Sequence, residues 1–299
     1  MIDTVRATGL RSDAMAALRT ALPYLSMYRG TTFVVKVGGE AFADDAVGRS
    51  VLEQVGVLTH LGIRVVLVHG AGPQATALTE ALGGESRIVD GRRVTDAVSL
   101  RAITLSLNGD VATKILALCR GLGLSAAAVS GVAGSLVTAR KRPPVTARDG
   151  SAVDYGFVGD IESVDVTLIE HLLAGGYLPV VSPLGADING QVLNLNADGV
   201  AAACAVAVGA QKVVYVTGAP GVLRDMADQS SLISETDLAG LEAMESDGQL
   251  GGGMLPKAAS IRAALAGGVE RVHVVGFATP DGLLRELFTN EGSGTLITA

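Results

Sequence analysis

Five short apolar runs recur along the chain: VVKV at 34–37, RVVLVHG at 64–70, LPVVSP at 178–183, KVVYVTG at 212–218 and RVHVVG at 271–276. Stretches of helical periodicity separate them, as in the segment after the first run, where Val51, Val55 and Leu58 recur at the spacing of one helix face. Strands that are apolar throughout are buried on both sides, and alternation with helices is the pattern of a mostly parallel sheet covered on both faces. The expected fold is α/β, a three-layer α/β/α sandwich. Helices are expected over about 44–61 and 73–83. Between 135 and 165 the pattern changes to SLVTARKRPPVTARDGSAVDYGFVGDI, whose Pro143-Pro144 and Asp149-Gly150 punctuation predicts antiparallel hairpins inserted in that frame. A length of 299 residues suits one large domain or two lobes, and no low-complexity linker separates any two parts, so two lobes would pack closely. Ahead of the first strand, DAMAALRTALPYLSMYRG predicts an extra helix of the kind that serves as an interface.

Composition narrows the function. A net charge of -7 excludes a general nucleic-acid binder, and the short basic cluster ARKRPP at 139–144 reads as a solvated hairpin. The longest nearly apolar run, GVAAACAVAVGA at 199–210, falls short of the ~20 residues that a bilayer requires and reads as a buried helix, so no membrane partner is expected. The charged N-terminus has no secretory apolar block, and Cys119 and Cys204 lack CxxC partners. Both cysteines are expected to be buried thiols, no metal site is expected, and the expected compartment is a reducing cytoplasm.

Four glycine-bearing turns follow strands or precede helices: Gly38-Gly39, Gly70-Ala71-Gly72, Gly218 to Gly221, and Gly251-Gly252-Gly253. Such turns let backbone N–H groups approach a ligand, and ligands of open α/β sheets bind beyond the carboxyl ends of the strands. Four together favour a ligand rich in phosphate. Gly70-x-Gly72-x-x-Ala75, with Asp90 some twenty residues on, also fits a dinucleotide fingerprint, so an NAD-dependent oxidoreductase is a rival reading. Two lysines weigh against it. Lys36 interrupts a buried strand, where an unpaired ammonium is costly. Lys257 opens the helix KAASIRAALAGG, where the helix dipole disfavours a cation unless an anion is bound. Two lysines among glycine N–H groups suit phosphoryl transfer, which is mainly positioning and charge stabilisation. No GxxxxGK[ST] motif occurs.

In VLNLNADGVAAA, 192–203, Asp198 precedes a helix. It can serve as that helix's N-cap, or accept from both lysines, while Asn194 and Asn196 donate to substrate. In GRRVTD, 91–96, Arg92 or Arg93 can clasp a carboxylate. His69 reads as a structural histidine. A phosphoryl acceptor that is already a carboxylate needs no proton removed.

These stretches in this order, from LPYLSMYRG and VVKVGGE through VVLVHGAGPQ, GRRVTD, FVGDI, GYLPVVSPLG, LNLNADGVAA, YVTGAPGVL and GGMLPK to LRELFTNEGSGTLI, resemble the amino-acid kinase superfamily, and within it the N-acetyl-L-glutamate kinases of arginine biosynthesis. The resemblance implies an ATP-dependent phosphorylation of the side-chain carboxylate of N-acetyl-L-glutamate. It implies that Lys36 and Lys257 stabilise the phosphoryl group in flight and that Asp198 orients them. Gly70, Ala71, Arg93 and Asn194 would hold the acetylglutamate, and Gly38, Gly39, Thr217 and Met254 would lie on the nucleotide side. Mg²⁺ is implied as the ATP counter-ion, bound mostly through phosphates and water. An amino-acid lobe at 1–190, with the N-terminal helix and dimerisation elements, and a nucleotide lobe at 191–299 are implied as well.

The chain departs from the kinase pattern at Ala71 and Gly218, where a glycine and an aspartate are usual, and at Ala112, where an asparagine is usual. Ala71 and Ala112 resemble the kinase-like domain of N-acetylglutamate synthase, so a catalytically silent sensor of arginine or acetylglutamate is the alternative. That domain lacks counterparts of Lys36 and Asp198, which favours an active kinase here, and no acetyltransferase domain is expected after GTLITA. The N-terminal helix and FTNEGSGT resemble those of arginine-inhibited hexameric members. This implies a homodimer or a trimer of dimers, with Tyr24 and Glu291 as arginine contacts, although GFATPDGLL differs from the usual pattern of such members.

Overall fold

The computed structural model describes residues 19, 22–24, 26–147, 149–225 and 227–299. Of the N-terminal helix expected over 13–30, residues 19, 22–24 and 26–28 are helical, and 13–18, 20, 21 and 25 lie outside the described residues.

The five apolar runs become strands β1 (Thr32–Val37), β2 (Arg64–His69), β10 (Leu178–Ser182), β13 (Lys212–Thr217) and β15 (Arg271–Gly276) of one eight-stranded sheet. Strands β5 (Ala126–Ser130), β14 (Glu235–Asp237) and β16 (Thr295–Thr298) complete it, in the order β14-β16-β15-β13-β1-β2-β10-β5. Every neighbouring pair is parallel except β15 with β16. The strands after residue 191 occupy one side of β1, and the earlier ones extend the sheet on the other.

The alternation of side chains along β1 makes the layers. Phe33, Val35 and Val37 pack against Val51, Leu52, Val55 and Leu58 of α1 (Asp45–His60). Val34 faces the opposite layer, where it joins Val200, Ala201 and Cys204 of α5 (Ala197–Ala207) and Ala258 and Ile261 of α7 (Met254–Ala266). Lys36 is two residues from Val34 and points into that same layer, toward α5 and α7.

Of the remaining helices, α2 is Gly72–Ala81, α3 Ala97–Gly121, α4 Thr167–Ala174, α6 Leu238–Ser246 and α8 Gly282–Phe288. The middle of α3, Ser106–Val111, is a π-helical turn. At 25 residues α3 is long and apolar enough by composition to cross a bilayer, which corrects the expectation that the chain holds no such segment. Its Ala102, Ile103, Ile115 and Cys119 are buried in the layer shared with α1, as in the core helix of a globular fold.

The segment expected to form hairpins does so. Strands β6 (Val137–Lys141) and β9 (Gly159–Val164) pair antiparallel, as do β7 (Val145–Thr146) and β8 (Ala152–Val153). With β11 (Leu184–Ala186) and β12 (Val192–Asn194), β6 and β9 form a second sheet. A short ribbon, β3 (Ile88–Val89) with β4 (Arg92–Arg93), brings both arginines toward the ends of the central strands.

Candidate active site

A cavity of about 290 Å³ opens beyond the carboxyl ends of β1 and β2. Two of the four glycine turns line it, Gly38-Gly39 after β1 and Gly70-Ala71-Gly72 after β2. They touch back to back: a Cβ added to Gly39 would lie 2.6 Å from the Ala71 Cα and 2.8 Å from its N, so glycine is obligatory at 39. No side chain caps α2 at Ala71, which leaves the N–H groups of its first turn open to a ligand.

Lys36 reaches the same cavity. Its Nζ lies 2.9 Å from Asp198 Oδ1, and Lys257 donates from Nζ to Asp198 Oδ2 at 3.0 Å. The three side chains are 12%, 9% and 6% exposed for Lys36, Asp198 and Lys257. Burial alone would raise the Asp198 pKa, but the charges of Lys36 and then Lys257 outweigh it and hold the carboxyl down at about 2. Burial pushes the Lys257 pKa down, against the pull of Asp198. One carboxylate thus fixes two ammonium groups and leaves a surplus positive charge beside the glycine N–H groups. Asp198 is not the cap of α5, the bland role open to it from sequence. Asn196 caps α5 instead, its Oδ1 accepting from Gly199 N at 3.0 Å, while the residue also lines the cavity.

Arg93 also lines the cavity. It is fixed to α2 and the loop after it, donating to Gly72 O at 3.1 Å and Thr76 Oγ1 at 2.7 Å on the helix and to Ser86 Oγ on the loop. Burial lowers its pKa, and no carboxylate pairs with it among the described residues. Asn194 lies on the same wall and donates from Nδ2 to Thr95 Oγ1 at 3.1 Å. Thr217, at the end of β13, and Met254, which opens α7, do not line this cavity. Met254 packs instead against the core layer of α5 and α7. His69 is fully buried and its pKa is pushed down by burial to about 4, so it is neutral at pH 7. Cys119 and Cys204 are buried thiols whose pKa values burial raises to about 11 and about 12. The Tyr24 hydroxyl donates to Asn290 Oδ1 at 2.6 Å, next in sequence to the exposed Glu291.

The sequence did not single out Gln74, whose Nε2 donates to Gly39 O at 2.8 Å and ties one glycine turn to the helix that follows the other. Its place directly after Gly72-Pro73 was the available signal.

Parallel strands that end at glycine turns, beside two lysines sharing one carboxylate, are the arrangement of a protein that transfers anionic groups, and among the described lining residues the one further acid is the exposed Glu40. The chain belongs to the amino acid kinase family, whose profile matches residues 31–276. Among curated proteins it is 46% identical over 293 residues to the acetylglutamate kinase of Myxococcus xanthus, covering 96% of this chain and 95% of that one. It is 39% identical to the acetylglutamate kinase of Methanocorpusculum labreanum, covering 96% and 98%. Among solved structures it resembles N-acetylglutamate synthase from Neisseria gonorrhoeae. The complex with coenzyme A and N-acetyl-glutamate matches with a TM-score of 0.81 at 30% identity over 95% of this chain, and this chain spans 63% of the synthase. The synthase is also solved with coenzyme A and L-arginine, at a TM-score of 0.80, 31% identity, and coverage of 95% and 65%.

Proposed function

We propose that the chain is an acetylglutamate kinase, transferring the terminal phosphoryl group of ATP to the side-chain carboxylate of N-acetyl-L-glutamate. The products are ADP and N-acetyl-L-glutamyl 5-phosphate, in the second step of arginine biosynthesis. The observation that carries this reading is the pair of ammonium groups held 2.9 and 3.0 Å from the two oxygens of Asp198, of which Lys36 lines the glycine-lined cavity and Lys257 stands behind it on Asp198.

In this reading the acceptor carboxylate attacks in line, and Lys36 and Lys257 stabilise the charge on the group in flight. Asp198 keeps both lysines charged and aimed. Arg93, a cation of the acceptor wall fixed by three hydrogen bonds, holds the acceptor's other carboxylate, while Asn194 and the N–H groups of Gly70 and Ala71 take the remaining polar atoms. Gly38 and Gly39 face the phosphates with backbone N–H groups, and Thr217 and Met254 flank the nucleotide. Residues 1–190 form the acceptor lobe and 191–299 the nucleotide lobe. No protein base is required, in keeping with a neutral His69. Asp198 is engaged by both lysines, so a Mg²⁺ accompanying ATP would be held mainly by the nucleotide and would supply neutralisation of phosphate charge. The two buried free thiols suit a reducing cytoplasm.

The test is ADP release with ATP, Mg²⁺ and N-acetyl-L-glutamate, with hydroxylamine present to trap the acyl phosphate and glutamate and aspartate as controls. Acetylglutamate-dependent ADP with an equal amount of hydroxamate is expected. A melting shift with acetylglutamate or arginine but no turnover would make the chain a silent sensor. For regulation, Tyr24 and Glu291 form an arginine site where the N-terminal segment meets the C-terminal loop, in a homodimer or a trimer of such dimers. The contact of Tyr24 with Asn290 supports this, as does the L-arginine complex of the synthase. Sedimentation at the dimer position together with indifference to millimolar arginine would remove it.

A further inference from the structure

Strand β13 reads KVVYVT, and its one aromatic residue, Tyr215, is fully buried where its neighbours are valines. In the β1–β13 register Tyr215 stands directly beside Lys36. The Lys257 Nζ sits over its ring, 4.8 Å from the centroid. The Tyr215 hydroxyl donates to the backbone carbonyl of Asp198 at 3.3 Å. Tyr215 therefore neighbours all three charged residues of the site: Lys257 through its ring, Asp198 through a bond to its backbone, and Lys36 through strand register. An ammonium carries three N–H donors. Lys257 gives one to Asp198, and a second direction is occupied by the aromatic face, whose negative quadrupole attracts a cation. The hydroxyl bond satisfies the buried phenol, and full burial in the core holds the ring at that station.

We propose that Tyr215 is a positioning residue for phosphoryl transfer, whose ring face keeps Lys257 protonated and turned toward Asp198 and the transferred group. The inference rests on the role of Lys257 given above. The charged groups facing Lys257 are Asp198 from α5, Lys36 from β1 and Glu40 from the turn after β1, with Tyr215 from β13 beneath it. Burial and Lys36 favour the neutral amine, while Asp198 and Glu40 favour the ammonium. The ring adds to the second group without adding an anion that would repel phosphate.

The experiment is the pH profile of kcat for the unaltered chain, Tyr215→Phe and Tyr215→Leu, paired with a titration of Lys257 by NMR of ¹³Cε-labelled lysine in the absence of substrates. Tyr215→Phe keeps the ring and should keep the alkaline limb where it is. Tyr215→Leu should move the limb, and the Lys257 midpoint, down by about one pH unit, which is about tenfold in kcat at a fixed pH on that limb. A third variant carries a fluorinated phenylalanine at 215, which fills the same space with its face potential withdrawn. It should follow Tyr215→Leu, and it keeps the test open if the leucine variant folds poorly. A limb and midpoint unmoved in both ring-altered variants, or Tyr215→Phe moving as far as they do, would overturn the proposal. The NMR midpoint needs no turnover, so it distinguishes failure of this inference from failure of the kinase reading.

Discussion

Lys36 lies within a strand whose other described neighbours in β1 are fully or nearly fully buried, and its tolerance there depends on Asp198, 2.9 Å away on a different element. Lys36→Met should leave circular dichroism unchanged and lower kcat by at least ~10²-fold, the scale of a lost charge-stabilising donor. Asp198→Asn should be worse for stability, because it strands two buried ammoniums without a counter-charge, a loss of about 3–5 kcal/mol in urea unfolding. The same carboxylate gives an acid limit. Its folded pKa, about 2, lies below the 3.8 of an unperturbed aspartate, so its contribution is complete above pH ~4 and is lost as pH falls through ~2. Unfolding midpoints measured from pH 5 to pH 2 should fall, and the Asp198→Asn variant should lack that part of the slope. Lys36 was legible because a charge in an apolar strand demands a partner, and Lys257 and Asp198 because each stands at a helix start, where a cation is out of place and a carboxylate has a use. Tyr215 was not, because an aromatic in a strand is ordinary core until its neighbours are known.

Among elements, the strand–glycine–helix units carry the site, but not equally. Gly38-Gly39 and Gly70 to Gly72 meet because β1 and β2 are adjacent and in register, Val37 beside His69. Gly39→Ala would drive a methyl into the Ala71 backbone. A stability loss of about 1–3 kcal/mol by denaturant unfolding is expected, together with lost turnover as the two turns separate. Gly218 is the contrast: a Cβ there would meet only the Phe277 ring, at 3.6 Å, and its φ lies outside the left-handed region. Gly218→Ala should change stability by less than about 0.5 kcal/mol. All four glycine turns were visible in the sequence, but which of them face the cavity depends on strand order, and strand order is set by pairing between residues far apart in the chain.

For the whole molecule, ligands that bind only the folded state should stabilise it. At a hundredfold excess over its Kd, acetylglutamate or a non-hydrolysable ATP analogue should add about 2.7 kcal/mol, seen as a rise in Tm, while NAD(H) should leave Tm unchanged. The glycine fingerprint Gly70-x-Gly72-x-x-Ala75 could not exclude a dinucleotide alone, but Lys36 beside that turn gives the cavity a cation suited to phosphoryl groups in transfer. Local pattern is enough to imply the layered α/β architecture, since apolar strands alternating with helices can bury both sheet faces in few other ways. The sequence also marks out the types of charged and glycine residues the chemistry needs, because each of them breaks a local pattern. Packing in three dimensions settles that Asn196 rather than Asp198 caps α5, that α3 lies against the core despite its length and apolar character, and that Tyr215 lies under Lys257. Those outcomes depend on which distant residues share a face of the sheet, and that is fixed by the register of packed strands and helices and not by local spacing.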